Sequence, residues 1–158
     1  MSSDARPEVD FGLLFALAFR SYVDHLHVQL AQRGFTPARS AFGPVLRALR
    51  AHETTLTALS SDLDVSKQAV SRVIDDMRAA GLVSHRRDPA DGRARILFLT
   101  AKGEAMVDAA IEIGAAYEKM LAAELGADRA RALRAGLERV VEREGAAGDL
   151  VARRVRSI

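Results

Sequence analysis

Apolar residues recur at three- and four-residue steps through Phe11, Leu14, Phe15, Ala18, Tyr22, Leu26 and Leu30, the spacing of one helix face. The pattern predicts a long amphipathic helix over about 8–33, stopped by Gly34. Thr36-Pro37 is a start signal, an N-cap followed by proline at the first helical position. A second helix should run from there towards Arg50. Gly43-Pro44 predicts a kink or restart within it, because proline lacks the N–H and clashes with the preceding turn. Thr54-Thr55-Leu56 is short and β-prone, and Thr57 can cap a short helix through Leu63, with Leu59 and Leu63 inward. After the tight Asp64-Val65-Ser66 connection, Ser66 is the N-cap of a helix reaching about Ala80 and ending at Gly81. Leu82 to Arg87 and Arg95 to Leu99 read as strands, joined by the turn-forming Asp88-Pro89-Ala90-Asp91-Gly92 as a hairpin with a long tip. Thr100 caps a further helix with the stripe Ala105, Met106, Ala109, Ile113, Ala116, Tyr117, Met120 and Leu121. Gly126 breaks it, and a last helix shows Leu133, Leu137, Val140 and Val141. Gly145 to Gly148 reads as a flexible break before a basic tail with Arg153, Arg154 and Arg156.

Two helices joined by a short turn and followed by a hairpin is the order of a winged helix-turn-helix. The expected fold is therefore mainly α with a small β-hairpin wing. The second helix of the pair has two faces. Ala69, Val70, Val73, Ile74 and Met77 form an apolar stripe, while Gln68, Ser71, Arg72 and Asp75 form a polar one. A recognition helix needs that division, since one face packs inward and the other offers donors and acceptors to base edges in the major groove. The free amides near Ser66, Lys67 and Gln68, at the helix N-terminus, favour a phosphate. A plain amphipathic surface helix would show the same division. The hairpin adds Arg93 at a glycine-containing tip, with Arg86, Arg87 and Arg95 on the strands, suited to the minor groove or its phosphates. Asp91, an acid at a basic tip, would hold an arginine in place rather than touch DNA. A solvated hairpin face is the bland alternative for Arg86 and Arg87.

Charge locates the same segment. Across 158 residues the net charge is only +2. Residues 66–95 hold 7 basic and 4 acidic groups, net +3, while residues 1–65 sum to −1 and residues 96–158 to 0. The excess falls on the recognition helix and hairpin, as expected for a polyanion partner. There is no Cys, which excludes disulfides and thiolate chemistry. His25 and His27, two apart, point to different sides of a helix and make a poor metal pair. No phosphate loop or nucleophile–base arrangement suggests an enzyme, and no metal or cofactor is expected. No apolar run approaches the roughly 18 residues of a membrane span. The N-terminal segment lacks a basic n-region, so a cytoplasmic location is expected.

Ser66-Lys67-Gln68-Ala69-Val70-Ser71-Arg72, Gly81-Leu82-Val83, Asp88-Pro89-Ala90-Asp91-Gly92-Arg93 and Leu97-Phe98-Leu99-Thr100-Ala101-Lys102-Gly103 together resemble the multiple antibiotic resistance regulator (MarR) family. The likeness covers roughly residues 10–142. It implies an obligate homodimer, with 8–35 and 101–145 as the helical dimerisation region and 36–100 as the winged DNA-binding domain. The tail, 146–158, has no counterpart. By position, Gln68, Ser71 and Arg72 would read the major groove and Arg93 the minor groove. A dimer also follows from the apolar stripes at both ends of the chain, which one small winged domain cannot cover. Its operator would be a pseudo-palindrome in double-stranded DNA, with half-sites about 10 base pairs apart.

The resemblance further implies a small aromatic or anionic ligand in the cleft between the two regions, relieving repression by a population shift. Tyr22, His25 and Arg47 could line such a cleft; alternatively, Tyr22 is core and His25 and His27 are surface residues. The reading is a homodimeric transcriptional repressor, with a ligand-independent DNA-binding or protein-interaction module as the alternative.

Overall fold

The computed structural model describes residues 9–36 and 38–143. Pro37, the break expected at Gly145–Gly148 and the basic tail lie outside the described residues. Helix α1 spans Phe11–Gln32, capped by Asp10, whose carboxylate accepts from the Leu13 N–H at 2.9 Å. It ends where Gly34 takes φ 85°. Helix α2 spans only Phe42–Ala51. The expected start at Thr36-Pro37 is thus corrected to Phe42, and Gly43-Pro44 sits in the first turn rather than at a kink. Proline costs nothing there, because a first-turn N–H has no partner in the helix anyway.

The pair Thr54–Thr55 forms strand β1, and α3 spans Leu56–Asp62. Its cap is Thr55, accepting from Ala58 N–H at 3.2 Å, not the expected Thr57. Helix α4 spans Lys67–Ala79, with Ser66 capping through a 3.2 Å bond from Ala69 N–H. Strands β2, Val83–Arg87, and β3, Arg95–Leu99, follow. The sheet has order β1-β3-β2 and is antiparallel, so β1 joins the hairpin as a third strand. Helix α5 spans Ala101–Leu125 with Thr100 as its cap, and α6 spans Ala127–Arg143 after Gly126 at φ 85°.

One core runs through the molecule. Leu30 from α1, Phe42 and Leu49 from α2, and Leu59 from α3 meet Ile74 and Met77 from α4. Leu97 and Leu99 of the sheet and Met106 and Ile113 of α5 complete it. Ala105 and Ala116 of the stripe expected on α5 are exposed, while Met106, Ala109 and Ile113 are buried. The helical ends differ sharply from this core. Residues 11–21 of α1 are all exposed, including Phe11 at 78%, and α6 buries no residue.

The joint between α4 and α5 positions the candidate interface. The Lys102 ammonium donates to the Ala80 carbonyl at 2.8 Å, and the Thr100 hydroxyl donates to Gly81 O at 2.6 Å. Thr100 N–H donates to Leu82 O at 3.0 Å. A Cβ at Gly103 would lie 2.1 Å from that same carbonyl oxygen, so only glycine allows this approach. The end of α4 is thereby fastened to the start of α5.

Candidate nucleic-acid interface

Helix α4 is pinned by its buried face, Val70, Ile74 and Met77. Ala69, expected in that stripe, is exposed, and Val73 is half-buried. An ion pair from Arg39, ahead of α2, holds Asp76 on the helix flank. Gln68, Arg72 and Asp75 are exposed and Ser71 is half-buried, so the polar stripe lies outward. The Ser66 hydroxyl is spent on its cap, which leaves the Lys67 and Gln68 amides at the helix start without intrahelical partners. Arg72 has no carboxylate partner among the described residues.

The wing tip is built by two aspartates. Asp88 Oδ1 accepts from Ala90 N–H at 2.8 Å, and Asp91 Oδ1 accepts from Arg93 N–H at 3.0 Å. Ala94 N–H donates to Asp91 O at 2.9 Å and Asp88 N–H to Ala94 O at 3.1 Å, closing the loop. Asp91 therefore holds the backbone of Arg93, not its guanidinium. The Arg93 side chain is exposed, with no carboxylate partner among the described residues.

Strand register sorts the remaining arginines. Val83 pairs with Leu99, His85 with Leu97 and Arg87 with Arg95, so these share one face, the one carrying buried Val83, Leu97 and Leu99. Arg86 lies on the opposite face. It pairs with Glu53, stands 5.5 Å over the Phe98 ring, and holds the Glu53 carboxyl below its ordinary range. Of the four hairpin arginines, Arg87 and Arg95 thus lie on the α4 side, Arg93 at the tip, and Arg86 on the other face against β1. Arg95 Nη1 lies 2.7 Å from His85 Nε2. Burial, then Arg78 and Arg95, pushes the His85 imidazole below its usual value. His85, Arg78, Arg39 and Glu53 did not emerge from the sequence. A hairpin register would have found His85, two residues from Arg87 on one face.

Tyr22 and His25 both pack on Tyr117 of α5, with Arg47 near enough to act on Tyr22. The Tyr22 and Tyr117 rings meet edge-on at 5.1 Å, and His25 lies 5.2 Å from Tyr117. Burial pushes the Tyr22 hydroxyl up, while nearby Arg47 opposes that shift. Tyr117, assigned only to the α5 stripe, is the centre of the cluster. Among the described residues no helix is long and apolar enough to cross a membrane, and no three His, Asp or Glu gather as metal ligands.

Comparison with known proteins agrees with this geometry. The MarR family model matches residues 43–94, from α2 to the wing tip. The transcriptional regulator HosA of Escherichia coli O111:H− is 43% identical over 49 residues, which cover 31% of this chain and 36% of HosA. The match therefore spans about a third of that relative. Apo MarR from E. coli superposes with a TM-score of 0.68 at 25% identity, over 86% of this chain and 99% of MarR. The transcriptional repressor CouR, solved on a 23-mer DNA duplex, superposes with a TM-score of 0.66 at 25% identity, over 89% and 99%. The winged core, residues 43–94, thus matches the MarR family in sequence, and the helical frame around it resembles solved MarR-family structures.

Proposed function

We propose that the protein is a homodimeric, sequence-specific regulator of transcription that binds double-stranded DNA and represses until a small ligand releases it. One observation carries the DNA reading. Helix α4 commits its apolar face to the core while Gln68, Ser71 and Arg72 stand outward beside a wing carrying Arg87, Arg95 and Arg93. A fixed helix with free donors suits the major groove, and a tip arginine suits the minor groove. The Lys67 and Gln68 amides add a phosphate seat. Arg86, tied to Glu53, serves this reading as a wing brace as well as a cation near the backbone.

The dimer reading rests on Phe11, Phe15 and Phe19 of α1 and Leu133, Leu137 and Val140 of α6, all exposed. A second copy covering 8–35 and 101–145 would bury them and set two winged domains, 36–100, side by side. Ligand relief rests on Tyr22, His25 and Tyr117 with Arg47, an aromatic cluster beside a cation that suits an aromatic acid. CouR is named a repressor, which favours repression here.

The test is a mobility-shift titration with the DNA upstream of the protein's own gene, against an unrelated duplex of equal length. Tighter binding to the first is expected, and benzoate should raise the melting temperature while weakening the shift. Equal affinity for both duplexes would overturn sequence-specific regulation, and a benzoate-blind protein the ligand reading.

A further inference from the structure

Resting on the DNA-binding reading above, we infer that Arg78, His85 and Arg95 form a phosphate seat at the base of the wing, where His85 gains a proton as a DNA phosphodiester enters. These residues rim an open groove between α4 and the hairpin, with Ser71 beside them and Ile74 and Leu97 as its apolar floor. In the free protein the groove is overloaded with donors. Arg95 Nη1 lies 2.7 Å from His85 Nε2. A guanidinium only donates, so Nε2 accepts, and the imidazole is neutral with its proton on Nδ1.

The surroundings favour an anion. Arg87 stands directly opposite Arg95 across the strands, a like-charge pair that costs stability unless something negative joins it. Arg78 approaches from α4. Asp75, 3.8 Å from Arg78, is the one carboxylate paired with this cluster among the described residues. No charged side chain from β1 or α3 lines the groove. The seat lies between the two elements read as entering the grooves, where a backbone strand must pass. A phosphodiester there accepts from Arg95 and Arg78. His85 Nε2, released from Arg95, takes one proton from solvent and donates it to a second phosphate oxygen. Each protomer thus takes up at most one proton on binding, most of it between the free and bound values.

The sign follows from linkage. The free imidazole titrates below its ordinary value, and a phosphate raises it. Below the free value both states are protonated and affinity is independent of His85. Between the two values affinity falls as pH rises, by at most about tenfold per pH unit per seat. Above the bound value it levels off.

Fluorescence anisotropy of a labelled upstream duplex, from about pH 5.5 to 8.5 at constant ionic strength, reads this directly. Wild type should lose affinity across the window. His85→Gln, which keeps an acceptor for Arg95 but cannot titrate, should lose that component of the slope. Arg72→Ala should bind more weakly at every pH with the slope intact. NMR of the imidazole protons should show the His85 midpoint rising when duplex is added. A His85→Gln slope equal to wild type, or an unmoved midpoint, overturns the seat while leaving the DNA reading in place. Wild type that binds no duplex at any pH overturns both.

Discussion

On the proposed reading, Arg72 and Arg93 would meet the same DNA in different ways. Arg72 stands on a helix fixed by its buried face and by the Arg39–Asp76 ion pair, and a fixed support is what base readout requires. Arg72→Ala should cost about 1–3 kcal/mol and relax preference at one position per half-site, measured by binding to a set of single-substitution duplexes. Arg93 sits on a tip whose backbone is fixed by Asp91. Arg93→Ala should weaken all duplexes alike. Unchanged affinity in both variants would show that α4 and the wing tip are not the contact surface. Ser66 belongs to stability: its cap is worth about 1 kcal/mol, so Ser66→Ala should lower the melting temperature by roughly 2–4 °C. Residue roles of this local kind were legible in the sequence, because a cap needs only its own first turn. Ser66 and Thr100 read correctly. Thr55 was mistaken for Thr57 because three threonines there can each cap, and pairing of Thr54 and Thr55 with β3 settles the choice.

At the scale of elements, the decisive feature is the joint from α4 to α5. Lys102 and Thr100 satisfy the last carbonyls after α4, and Gly103 lets α5 sit against Leu82 O. A shift of α5 would therefore carry the end of α4, the helix proposed to read the major groove, with it. Gly103→Ala should cost about 3 kcal/mol by overpacking, a melting temperature lower by roughly 6–12 °C. An unchanged melting temperature would mean the joint yields. Helix order, both hairpin strands and the Gly81 and Gly126 stops followed from periodicity and turn residues. The pairs that tie elements together did not. Arg39 meets Asp76, Arg86 meets Glu53 and Tyr22 meets Tyr117 across long stretches of chain, and only the packed core brings them within reach. Gly43-Pro44 misled for a related reason: it is harmless once α2 begins at Phe42.

For the whole molecule, the exposed apolar residues of α1 and α6 are what the proposed symmetric pair would cover. Sedimentation at micromolar concentration should give about 34 kDa, twice the 17.1 kDa chain, as a two-fold dimer requires. A 17.1 kDa species would remove the dimer. Two copies would present the basic segment twice, giving a nearly neutral protein two located positive surfaces. The measurement that tests the central claim most directly is duplex affinity against salt, with the upstream DNA as ligand. A protein that seats phosphates on both winged domains should lose affinity steeply and linearly in log–log form, with a slope of about −0.9 for each phosphate neutralised. Affinity that does not respond to salt, or no affinity at low salt, would contradict DNA binding by this surface.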